Sequence, residues 1–78
     1  MRAREERVVV TFFTTAEAMA MERLCKARNL EGKLISAPRS ISADCGIAWS
    51  APARLEQELH RVTAEAGVET QGFYRMNL

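Results

Sequence analysis

The stretch Arg7-Val-Val-Val-Thr-Phe-Phe13, running directly into Thr14-Thr-Ala-Glu17, decides how the chain must fold. Its first part is mostly β-branched and aromatic, which suits a buried strand. Strand alternation then turns Val8, Val10 and Phe12 to one side and Val9 and Phe13 to the other. With Thr14 as N-cap, Glu17 falls three residues later, the spacing of a capping box. Residues 16–28 are rich in Ala, Met, Glu and Leu, so a helix follows at once. Ala18, Met21 and Cys25 share one stripe of it, bordered by Leu24.

Working outward, Asn29-Leu30 pairs a residue tolerant of the left-handed conformation with an apolar one, the pattern of a helix end. Gly32 turns the chain into a short strand at 33–37. Residues 38–44 show no periodicity and read as a loop, and 46–50 read as another strand. Pro52 precedes a second helix, where its missing N–H costs little. Leu55, Leu59, Val62 and Ala66 form the apolar stripe of that helix. Gly67-Val68 repeats the closing pattern of Asn29-Leu30, and a last strand covers about 70–76. The order is β-α-β twice over. Both helices must bury a stripe, and a sheet supplies the surface. The expected fold is α+β: a ferredoxin-like βαββαβ sandwich with a four-stranded antiparallel sheet and two helices on one face. Residues 1–7 read as an arm and 8–78 as one domain. The face without helices, with Val9 and Phe13, is a candidate homodimer surface.

Composition narrows the function. The chain has 78 residues, a net charge of +1 and 47% hydrophobic residues, which fits one small folded domain. The arm holds three Arg and two Glu, and the rest of the chain balances eight bases with eight acids. So balanced a domain lacks the positive field that drives nucleic-acid binding. No run approaches the ~20 apolar residues of a membrane span. Nor does the N-terminal stretch read as a secretion signal, so the expected location is the cytoplasm. The four glycines are scattered, so no phosphate-binding loop is present. His60 lies one step off the core stripe, a solvated position with nothing to orient it as a base. Two Cys and one His on separate elements make no metal site, and no cofactor is expected.

Chemistry points to the loop Ala37-Pro-Arg-Ser-Ile-Ser-Ala-Asp-Cys-Gly46. Cys45 lies in the least regular segment, where partial exposure is expected. Arg39, Ser40 and Ser42 favour a thiolate there and Asp44 opposes one; the sequence leaves the balance open. Gly46 permits backbone geometry that other residues resist. Cys25, mid-helix on the apolar stripe, reads as a core residue. Trp49 shares a strand face with Ile47 and Cys45 and reads as packing.

The string Pro38-Arg39-x-Ile41-Ser42-x-x-Cys45-Gly46 resembles the signature of the DUF3343 family of selenium/sulfur carrier protein-like domains. The likeness extends over about residues 8–75. It takes in the strand before Thr14, the helix with Ala18 and Glu22, and the final strand with Phe73-Tyr74. The Arg-rich arm is extra, and Cys25 is not part of the motif. The resemblance implies a carrier, not a catalyst, in selenium metabolism or sulfur transfer. Cys45 would be the reactive carrier thiol, holding the chalcogen as a persulfide or perselenide. Pro38, Arg39, Ser42 and Gly46 would surround it, with Arg39 favouring the anion and Ser42 and the Gly46 N–H donating hydrogen bonds. A desulfurase-type protein would be the donor and a selenium- or sulfur-transfer protein the acceptor. The alternative is a protein-interaction or regulatory module in which Cys45 only packs.

Overall fold

The computed structural model describes residues 5–78. In chain order it contains β1 (Glu6–Thr11), α1 (Thr15–Ala27), β2 (Lys33–Ser36), β3 (Ile47–Pro52), a 3-10 turn (Ala53–Leu55), α2 (Glu56–Ala66) and β4 (Gly72–Asn77). The strands form one sheet in the order β2-β3-β1-β4, with every neighbouring pair antiparallel. This is the ferredoxin-like α+β arrangement, in which each β-α-β unit is split by a strand inserted between its own two.

β1 occupies the interior of the sheet and has no exposed surface from Val8 to Thr11, nor has Phe12 after it. Val8, Val10 and Phe12 join Trp49, Ala51, Ala18, Met21, Cys25 and Leu59 in the core under the helices. Both of its ladders end at Thr11, which faces Ala48 on one side and Gly72 on the other. Phe13 therefore falls outside the sheet, in the link to α1, and is 44% exposed. Val9, opposite Ser50 and Tyr74, points away from the helices yet has no exposed surface. On that face the Arg7 guanidinium lies along the sheet to reach Ser50, with Nε 3.0 Å from Oγ. The Tyr74 ring leans over Gly72, where a Cβ would sit 2.9 Å from it. The expected exposed pair of Val9 and Phe13 is thus absent: one is blanketed by neighbours and the other is off the sheet.

Residues 5–7, expected as part of an arm, are tied into the sheet. Residues 1–4 lie outside the described residues, but Glu6 and Arg7 belong to β1, and Glu5 exchanges backbone hydrogen bonds with Leu78. Pairing with β4 recruits these polar residues, a long-range gain that their own composition does not signal.

Both helix ends follow the local code. Thr14 and Glu17 form the capping box, with both bonds at 3.3 Å. Asn29 takes φ +57° after α1, and Gly67 takes φ +72° after α2. In each case the next residue's N–H returns to the last turn: Leu30 to the Cys25 carbonyl at 2.8 Å, and Val68 to Thr63 at 3.0 Å. α2 buries Leu59, Val62 and Thr63, whereas Ala66, in the last turn, is exposed. Thr63 satisfies its hydroxyl on the Leu59 carbonyl at 2.8 Å, which is how a polar residue holds a core position.

Trp49 is the largest core side chain, and its indole lies against Gly32, where a Cβ would stand 2.6 Å from the ring. Gly32→Ala is expected to lower stability by about 1–3 kcal/mol through overpacking. A urea titration against the parent checks this, and an unchanged midpoint would mean the indole has room to move.

Candidate functional site

The register places several chain ends together. β1 finishes where β3 and β4 start, and β2 finishes opposite the start of β3. The β1–α1 link, the β2–β3 loop and the α2–β4 connection therefore meet at one end of the sheet. The β2–β3 loop closes with the Ala37 N–H donating to the Gly46 carbonyl at 3.0 Å. Inside it are two successive tight turns. The Ile41 N–H donates to the Pro38 carbonyl at 3.2 Å, and the Gly46 N–H donates to the Ala43 carbonyl at 3.0 Å. The first turn carries Arg39 and Ser40 at its tip, and the second carries Asp44 and Cys45. Pro38 presets the backbone of the first turn, and Gly46 leaves the second at φ +76°.

Cys45 is half-buried, with its side chain against the edge of the core. Its thiol donates to the Ile47 carbonyl at 3.2 Å. That bond holds the sulfur against the start of β3. Arg39 and Ser42 are exposed, and among the described residues neither is hydrogen-bonded to Cys45 and Arg39 forms no ion pair. The Gly46 N–H, expected as a donor to a bound anion, is spent on the turn; a residue closing a β-turn commits that group by geometry.

One participant carried no signal in the sequence. Gln71, just before β4, accepts from the Asp44 N–H at 3.0 Å through Oε1 and donates to Asp44 Oδ1 at 3.3 Å through Nε2. Its own N–H donates to the Thr11 carbonyl at 2.6 Å. The turn bearing Cys45 is thus tied to the end of β1 through a residue distant in sequence.

The remaining candidates lie elsewhere. Cys25 is fully buried in α1, and desolvation pushes its thiol from 9.0 up to about 11. His60 is exposed on α2, but it is oriented: its ring stacks on Phe73 with centroids 3.7 Å apart, and Nε2 lies 3.6 Å from Glu56. Glu56 also accepts from Arg75 Nε at 2.6 Å, and that guanidinium holds its carboxyl below the usual carboxylate range. Among the described residues no three His, Cys, Asp or Glu side chains converge as metal ligands. No helix there is long and apolar enough to cross a membrane.

A family model described as "Putative Se/S carrier protein-like" matches residues 7–75. The chain belongs to that family. No curated protein and no solved structure matches it.

Two outcomes follow from the unequal cysteines. A maleimide probe is expected to label Cys45 alone in the folded protein and both cysteines in denaturant; labelling of Cys25 without unfolding would contradict its burial. Stability should also fall with rising alkali. The folded Cys25 value lies above the unfolded one, so its contribution is complete below pH 9 and fades as pH climbs toward 11. The loss is about 2–3 kcal/mol over that span. Denaturation of Cys25→Ala beside the parent at pH 8 and pH 11 should show a flatter dependence in the variant.

Proposed function

We propose that this Se/S carrier-like chain holds one sulfur or selenium atom on Cys45, as a persulfide or perselenide. The observation that carries the reading is the contrast between its two cysteines: Cys25 is sealed in the core, and Cys45 has solvent access on the loop whose string marks the family resemblance. Chemistry at a thiol in the folded chain then runs through Cys45.

Loading begins with the thiol turning from the Ile47 carbonyl and giving its proton to solvent. The Cys45 thiolate attacks the outer sulfur of a donor cysteine persulfide. A bond forms between Sγ and that sulfur, the donor's S–S bond breaks, and the donor departs as a thiolate with the electron pair. Unloading is the same exchange in reverse, with an acceptor thiolate attacking the outer atom and Cys45 leaving. No net oxidation occurs in either step, and selenium follows the same course. Loading replaces the proton on Sγ, so the loaded sulfur no longer donates to Ile47 and its outer atom is directed to solvent.

The neighbours have limited tasks. Arg39, exposed on the first turn and without an acidic partner among the described residues, favours an anionic persulfide on the second. Ser42 offers its hydroxyl from between the turns. Pro38 and Gly46 shape the backbone. A carrier of this kind leaves the bond-making power to its partners: a desulfurase-type donor and a selenium- or sulfur-transfer acceptor.

Intact-mass measurement tests the proposal. The reduced chain is incubated with a cysteine desulfurase and cysteine, and separately with selenocysteine. One added sulfur or selenium is expected in the parent and in Cys25→Ala, and none in Cys45→Ala. An adduct that survives Cys45→Ala, or none in any sample, overturns it; the second result returns the chain to the interaction-module reading.

A further inference from the structure

Asp44 is the immediate neighbour of Cys45, and a free carboxylate beside a thiolate opposes its ionisation. That carboxylate is not free. We propose that Gln71 is a positioning residue for Cys45: its amide clasps Asp44 by two hydrogen bonds and holds the carboxylate on the α2–β4 connection instead of leaving it to swing beside the sulfur. The assignment rests on the carrier reading for its purpose and on the hydrogen bonds for its geometry.

Each bond has a separate consequence. The Asp44 N–H donating to Oε1 fixes the Ala43–Asp44 peptide, one residue ahead of Cys45, and Nε2–H donating to Oδ1 fixes the carboxylate. The base of the clasp is firm, because the Gln71 N–H is bound to the Thr11 carbonyl where β1 ends. An amide is the side chain that meets both needs, since it accepts and donates at once. The other charged groups on the elements meeting here are engaged or few. Glu17 is held in the α1 capping box, Arg39 stands on the first turn, and Glu69 is exposed on the α2–β4 connection. Asp44 is therefore the charge nearest to Cys45 along the chain, and Gln71 sets where it points.

The test is the pH profile of Cys45 alkylation by iodoacetamide, read by peptide mass in the parent, Gln71→Ala, Gln71→Glu, Asp44→Asn and Asp44→Asn/Gln71→Ala. The high-pH plateau reads exposure, whereas the midpoint reads charge, so a loosened loop does not imitate the effect. Gln71→Ala is expected to raise the midpoint and slow labelling at pH 7 about twofold to fivefold. Gln71→Glu, which sets two carboxylates against each other, should slow it at least as much. The double variant should share the midpoint of Asp44→Asn. A change confined to the plateau overturns the proposal, as does a double variant displaced from Asp44→Asn by as much as Gln71→Ala is from the parent. Labelling requires no chalcogen donor: a midpoint shift with failed desulfurase loading sustains the clasp and removes the carrier.

Discussion

The burial of β1 on both faces is the constraint on which the rest of the molecule depends. Val8, Val9, Val10 and Thr11 have no exposed surface, so every backbone N–H and C=O along them needs a partner. A strand meets that demand only with neighbours on both sides, which puts β1 between β3 and β4. Each buried valine contributes about 1.5–3 kcal/mol. The surface ion pairs, such as Arg28–Glu65 between the helices, add little beside this. The register set along β1 then fixes where everything else ends. Thr11 closes two ladders at once, and the three connecting segments converge beyond it.

That convergence gives the segment around Cys45 a defined path. The loop bearing Cys45 is irregular in sequence but not in geometry. Two tight turns, one closing bond to Ala37 and the Gln71 clasp account for its path. The Cys45 sulfur rests at the edge of the core, with its thiol donating to the Ile47 carbonyl. Cys25 provides the contrast. The same element, placed under the sheet in a helix, is so desolvated that its thiol is pushed up to about 11. Placement, not residue type, separates a sealed cysteine from one with solvent access.

Much of this was legible in the sequence, and the division has a physical cause. Features governed by neighbours within a turn or two could be read directly. These are the Thr14–Glu17 box, the stripe of Ala18, Met21 and Cys25, the caps at Asn29 and Gly67, and the alternation of Val8, Val10 and Phe12. From their order came the βαββαβ fold, and from the Pro38–Gly46 string came the candidate thiol and the family. Tertiary structure alone decided the features that depend on distant partners. Val9 has no exposed surface although it faces away from the helices, opposite Ser50 and Tyr74. Phe13 leaves the sheet because β3 and β4 begin no earlier. The Gly46 N–H is consumed by a turn, and Asp44 is held by Gln71, 27 positions away. Local periodicity and capping are properties of contiguous residues; hydrogen bonds between segments exist only once the fold has brought those segments together.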